Sequence, residues 1–283
     1  MNFNLREKIL FYISYIFYKL MIIVEVKKPK IKMFIYELVY SFYKIIDYKK
    51  NFPYFFNDEL IISKFGKFKI RKRTPDAASV SPAYERRDIN FLIKKIKENL
   101  KKNKKILFID IGADIGYYSI LIGNKFKGKI KIFSFEPVPY NFELLEQNIK
   151  INNLTEIIKP FNFALSDSEE NLTINYSQTS PGESSIVNIP HGSKKITIKT
   201  KRLDEVIKND IKNFDVIFIK IDVEGFEERV LKGAEKILKI NSKEIILLVE
   251  DFINPSIKEF LKKSGFKFLC KLTSYNSFWI YKL

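Results

Sequence analysis

Ile106-Leu-Phe-Ile-Asp110-Ile-Gly112-Ala-Asp114-Ile-Gly116 is an unbroken apolar run that ends in a carboxylate and two glycines. A short run without alternation is the pattern of a strand covered on both faces in a parallel sheet. Gly112 and Gly116 then allow a tight turn and a close approach of a ligand to the backbone, and free N–H groups at the start of a following helix attract a carboxylate. Upstream, Ile89, Leu92, Ile93, Ile96 and Leu100 recur at helical spacing. Downstream come strand 130–135, a helix carrying Val138, Phe142, Leu145 and Ile149, strand 157–165 and strand 216–221. A helix with Phe226, Val230, Ala234 and Ile237, strand 245–249, helix 257–263 and strands 267–272 and 278–282 complete the series. The alternation predicts an α/β fold, a Rossmann-like doubly wound and mostly parallel seven-stranded sheet with an antiparallel strand from the C-terminal hairpin. Within residues 168–215, Leu172-Ile174-Tyr176 and Ile196-Ile198 alternate as a β-ribbon insertion.

In such sheets the ligand sits at the carboxyl ends of the strands, where their order reverses. Asp110 ends one strand and Glu136 ends the next, where a carboxylate can accept both hydroxyls of a ribose. A dinucleotide site wants G-x-G-x-x-G against a pyrophosphate, whereas the spacing here is G-x-x-x-G with Asp110 two residues before it. A buried anion there repels a pyrophosphate and suits a cofactor with an ammonium and a sulfonium, S-adenosylmethionine. No G-x-x-x-x-G-K-[ST] motif for a nucleoside triphosphate occurs.

Hydrophobic residues make up 46% of the 283 and charged residues 29%, which excludes collagen-like, low-complexity and disordered classes. The net charge is +17, and residues 1–105 hold 25 of the 50 basic side chains but only 10 of the 33 acidic ones. Residues 1–60 form an aromatic-rich basic helical appendage in this reading, and 61–283 the enzymatic domain. The apolar stretch 9–24 rises about 24 Å as a helix, short of a full span, and no small-residue cleavage site follows it. The appendage either packs on its own domain or a subunit, or uses Lys27, Lys28, Lys30 and Lys32 against an anionic membrane surface. Lys64, Lys67, Lys69, Arg71, Lys72 and Arg73, interleaved with Phe65 and Phe68, offer a competing path for nucleic acid or a strand with a solvated face. Cys270 and His191 are the only cysteine and histidine, so no disulfide within the chain and no Cys/His metal centre is expected. A cytoplasmic place, possible at a membrane periphery, fits.

Four blocks are similar to the signature segments of the FkbM-type S-adenosylmethionine-dependent methyltransferases. They are Phe108 to Ser119, Phe133-Ser-Phe-Glu-Pro137 with Asn141 and Asn148, Ala164-Leu165-Ser166-Asp167, and Ile219 to Gly233, which contains Lys-Ile-Asp-Val-Glu-Gly-Phe-Glu-Glu-Arg. The resemblance spans about 108–250 and implies O-methylation of sugars, glycans or polyketide products. It implies that Asp110, Gly112, Asp114 and Gly116 hold the methionine part, Glu136 the ribose, and Ala164, Leu165, Ser166 and Asp167 the adenine edge. The family commonly has Asn where this chain has Asp114, which either adds charge to the loop or caps the helix. Glu85 reaches the cofactor's ammonium or remains a surface charge.

Methyl transfer to oxygen needs alignment and removal of the hydroxyl proton. Asp222 and Glu224, with Glu250 and Asp251 on the same sheet edge, supply a base, or a magnesium-type site from Asp222, Glu250 and Asp251, or they cap helices and pair with Lys220 or Arg229. His191, with the tip Thr179 to Ile186, is the alternative base at the rim. The expected enzyme is an O-methyltransferase for a hydroxyl-bearing small molecule or glycan. The alternatives are a tRNA-type methyltransferase using the basic front, and a non-catalytic membrane- or partner-binding protein with a vestigial domain. The absence of N-P-P-Y and D-P-P-Y disfavours base methylation.

Overall fold

The computed structural model of the chain describes residues 59–63, 65–71, 74, 76–80, 85–177, 194–240, 242–251, 256–273 and 275–281. Residues 1–58 of the expected appendage 1–60, the ribbon residues 178–193 with His191, and Lys64, Lys72 and Arg73 lie outside them, while Glu59 and Leu60, expected in the helical appendage, stand in a strand. The chain divides into two compact units, Met1–Tyr84 and Glu85–Leu283.

In the first unit, β1 (Glu59–Ser63) and β2 (Gly66–Ile70) form an antiparallel hairpin, followed by the short α1 (Asp76–Ser79). Alternation in β2 buries Phe68 and Ile70 and exposes Lys67 and Lys69. Arg71, expected in the basic run, is instead buried and grips Asp76 by two side-chain bonds of 2.8 and 2.7 Å. Its guanidinium is thereby withdrawn from any phosphate backbone.

The second unit opens with α2 (Arg86–Leu100), whose Ile89, Leu92, Ile93 and Ile96 are buried on one face. Then come β3 (Ile106–Ile111), α3 (Tyr117–Lys125), β4 (Ile130–Phe135), α4 (Pro139–Ile151), β5 (Ile158–Phe161) and β6 (Ala164–Leu165). The ribbon is β7 (Asn171–Tyr176) with β8 (Lys194–Lys201), and α5 (Leu203–Val206) follows it. The remainder is β9 (Val216–Ile221), α6 (Glu227–Gly233), α7 (Glu235–Leu238), β10 (Glu244–Glu250), α8 (Ser256–Lys263), β11 (Lys267–Lys271) and β12 (Asn276–Tyr281).

The main sheet has seven strands in the order β11-β12-β10-β9-β3-β4-β5. Strands β3, β4, β5, β9 and β10 run parallel, and β12 is antiparallel to both neighbours. Every residue of β3 and β9 is buried, as their continuous apolar runs require. Chain order runs outward from β3 to β5 on one side and from β9 to β10 on the other, so the switch point lies between β3 and β9. This is the Rossmann-like architecture expected. Among the described residues no helix is long and apolar enough to cross a membrane.

Two expected elements divide. The strand 157–165 breaks at Asn162, whose amide donates to the carbonyls of Glu136 and Pro137 at 3.0 and 3.2 Å and turns the chain out of the sheet. Ala164 and Leu165 pair instead with Thr200 and Lys201 of the ribbon. The helix 226–237 breaks at Ala234, just past Gly233. A Cβ on Gly233 would lie 1.9 Å from the carbonyl oxygen of Ser166, so only glycine fits where α6 presses on the end of β6. Gly233→Ala is expected to cost ~3 kcal/mol by forcing backbone apart. Gly128→Ala, which meets nothing within 4 Å but keeps a φ of +75°, should cost about 1 kcal/mol. Urea unfolding of the two variants checks this ordering, and equal stabilities would contradict it.

Candidate active site

The carboxyl ends of β3 and β9 touch at Gly112. Its φ is +78°, and a Cβ there would stand 1.8 Å from the carbonyl oxygen of Asp222. The N–H groups of Gly112 and Ala113 both donate to the Phe135 carbonyl at 3.0 Å, tying the loop to β4 as well. Gly116, at φ +91°, begins α3. Asp114 does not cap that helix: no side-chain bond caps it, and Asp114 sits in the left-handed region at φ +47°. Its N–H donates instead to Oε2 of Glu136 at 2.9 Å. Glu136 also accepts from the Val138 N–H at 2.9 Å through Oε1, so one buried carboxylate fastens the loops after β3 and β4.

These loops enclose a cleft of about 670 Å³, counting the space open at its mouth. Of the residues singled out from the sequence, Gly112, Asp114, Glu136, Ala164, Leu165, Asp222 and Glu224 line it. Carboxylates and apolar side chains share its lining, and among the latter Val138, Ala164, Ile174 and Ile198 form one cluster.

Asp222 and Glu224 owe their place to a strained turn. Glu224 has φ +55° and Gly225 φ +98°. Oε1 of the buried Glu227 accepts the N–H groups of Val223 and Gly225 at 3.2 and 3.1 Å and holds the turn. Asp222, Glu224 and Glu250 bring carboxylate oxygens within 4.8 Å of one another. Burial, then repulsion from Asp222, Glu224 and Glu227, pushes the Glu250 carboxyl far above its ordinary range. The three oxygens can bind a proton, and their hard-donor chemistry also suits a divalent cation. Asp251, expected in that set, is absent from it. It is buried and paired with Lys271 at 2.5 Å and Lys258 at 3.4 Å.

Asp110 lies beneath the cleft rather than in its wall. It is buried and accepts the Ser119 N–H and hydroxyl at 3.1 and 2.6 Å through Oδ2, whereas Oδ1 accepts no hydrogen bond from the described residues. Glu85 is no surface charge: it accepts from the Tyr118 hydroxyl at 2.5 Å and from Asn276 at 3.0 Å. Ser166 and Asp167 also fall outside the lining. Asp167 is bound by Arg229 at 2.6 Å, which also holds Glu170. Arg229 therefore pairs with these two carboxylates, while Lys220 takes Asp222.

Lys220 was weighed in the sequence only as a pairing partner, yet its buried ammonium organises the site. It lies 3.0 Å from Asp222 and 4.9 Å from the centre of the Tyr118 ring. Burial alone would lower its pKa, but Asp222, Asp110 and Glu85 outweigh that and raise it, so it stays charged. Burial raises both Glu85 and Asp110 in turn, against the pull of Lys220. The signal available in the sequence was a lysine inside an otherwise apolar run, Val216 to Ile221.

Lys220→Met should therefore leave buried carboxylates without a cation and cost ~3 kcal/mol at neutral pH. Glu85 and Asp110 are raised above their ordinary values of 4.5 and 3.8, so the folded state binds more protons than the unfolded one. Their stability contribution falls as pH rises above those values. The variant's deficit should thus deepen with rising pH in chemical denaturation; a deficit independent of pH would contradict this account.

The chain is 28% identical over 204 residues to methyltransferase sdnD of Sordaria araneosa, covering 59% of this chain and 75% of that protein. It is 30% identical over 131 residues to the hexuronic acid methyltransferase AglP of Haloferax volcanii, covering 46% of this chain and 50% of that one. Among solved structures, the methyltransferase FkbM from Methylobacillus flagellatus KT matches with a TM-score of 0.45 at 17% identity, over 63% of this chain and 43% of that one. The family model described as the methyltransferase FkbM domain matches residues 110–268, more than half of the chain, and the chain belongs to that family.

Proposed function

We propose that the chain is an S-adenosylmethionine-dependent O-methyltransferase acting on a hydroxyl of a sugar, glycan or other small molecule. The observation that carries this reading is a single cleft lined by the carboxylates Asp114, Glu136, Asp222 and Glu224 and by the apolar cluster of Val138, Ala164, Ile174 and Ile198, with Glu136 bonded to the N–H groups of both Asp114 and Val138. A cofactor with a cationic amino-acid tail, a ribose and a base needs walls of both kinds. Asp110 Oδ1, buried without a donor among the described residues, suits an ammonium group from outside the chain. Glu136 lines the cleft just past the end of β4, held there by the Asp114 and Val138 N–H groups and the Asn141 amide, and that position supports its role toward a ribose.

The bound cofactor would supply an electrophilic methyl group on a sulfonium. The chain's own task is to orient the acceptor and receive its proton. Asp222 and Glu224, in the wall of the cleft and within reach of Glu250, are the groups for that proton. Glu250, whose carboxyl is raised first by burial and then by repulsion from Asp222, Glu224 and Glu227, stands within the same group to take that proton on. Lys220 fixes Asp222 in place. The same three oxygens suit magnesium, with Asp251 excluded from the set. His191 and the appendage carry no assignment here. The acceptor named for the Haloferax relative, a hexuronic acid, supports a sugar hydroxyl.

Calorimetry with S-adenosylhomocysteine tests the cofactor: the wild type should bind, and Glu136→Ala should bind at least tenfold more weakly after losing charge-assisted bonds of ~1.5 kcal/mol or more. Equal binding by both, or none by the wild type, would overturn the reading. Transfer of labelled methyl to glycan, lipid and RNA fractions tests the acceptor, with label expected in the glycan fraction. Glu224→Gln should lower kcat about 100-fold while leaving homocysteine-product binding within threefold.

A further inference from the structure

We infer that the β7–β8 ribbon builds the nucleobase subsite of the cleft, with Ile174 and Ile198 against the adenine ring; this rests on the cofactor reading above. In the ribbon Leu172 stands opposite Ile198, and Ile174 opposite Ile196. Directly paired residues project to one face, so these four and Tyr176 make an apolar face, while Thr173, Asn175, Lys195, Thr197 and Lys199 make a polar one. The apolar face stays apart from the main core. It forms its own cluster with Val138 and Ala164.

Only two side chains of that face, Ile174 and Ile198, line the cleft. They do so with Val138, which stands two residues after Glu136. A base is bonded directly to its ribose, so its subsite must adjoin the carboxylate that holds the ribose hydroxyls. The apolar wall beside Glu136 meets that demand, and a flat aromatic ring suits walls without carboxylates.

The ribbon is also anchored firmly enough to serve. Parallel pairing ties β8 to β6, and the Thr200 hydroxyl donates to the Ser168 carbonyl at 2.8 Å. Arg229 on α6 clamps Asp167 and Glu170 at 2.6 and 2.5 Å. Asp167 thus works at the ribbon's base, by holding the wall in position.

The test is calorimetry on the full chain with two probes that share the base, S-adenosylhomocysteine and 5′-methylthioadenosine. Ile174→Ala and Ile198→Ala should weaken both by about tenfold and by similar factors. Ile196→Ala, on the same face and in the same cluster but outside the cleft, should change either by less than twofold. Ile198→Val, which keeps the ribbon's shape, should give about a threefold loss and stands in if an alanine variant fails to fold. Unchanged affinity in the two lining variants, or an equal loss in all three alanine variants, would overturn the ribbon's role while the cofactor reading stands. Failure of the wild type to bind either probe would overturn both.

Discussion

The site depends on a missing side chain. Because Gly112 has no Cβ, the loop after β3 lies directly on the Asp222 carbonyl at the end of β9, and the two halves of the sheet meet without a gap at their switch point. Everything chemical follows from that contact. It sets the loop that bonds to Glu136, brings Asp222 into the same cleft, and places Lys220 of β9 level with Asp110 of β3, its partner in the sheet register. Any larger residue would part the strands and scatter these groups.

Charge is distributed against the grain of the whole molecule. The chain carries +17, yet the described groups around the switch point are Glu85, Asp110, Asp222, Glu224 and Glu250 with Lys220 as their buried cation. A basic protein has thus concentrated carboxylates at its switch point, with Asp110 buried and Glu85, Asp222, Glu224 and Glu250 half-buried, where their fields are screened less than at the surface. The cost is visible in the raised pKa values of Glu85, Asp110 and Glu250, for each of which burial is the first cause and repulsion from neighbouring carboxylates adds to it.

Local pattern made most of the frame legible. The unbroken apolar runs of β3 and β9 announced doubly covered strands, and Gly112 and Glu136 follow strand ends and line the cleft, as their spacing predicts. What escaped reading depends on contacts between distant segments. Asn162 breaks a strand because two carbonyls of the preceding loop lie within its reach. Asp167 is drawn into an ion pair because Arg229 of α6 is beside it, and Asp251 stands outside the acidic group because Lys271 is beside it. Lys220 read only as one of two pairing partners for a carboxylate, and it is the register opposite Asp110 together with its burial that sets it among Asp110, Asp222 and Glu85. Ile174 and Ile198 read as alternating strand residues, and nothing local distinguishes them from Ile196.

The strand order has a consequence for how the protein is made. β12, the last described strand to be synthesised, does not decorate an edge but lies between β10 and β11. It also carries Asn276, which donates to both Glu85 and Asp88 at the start of α2. The first helix of the enzymatic unit therefore gains these two contacts only when nearly the whole unit has left the ribosome. Its assembly is a late, concerted event rather than a vectorial one.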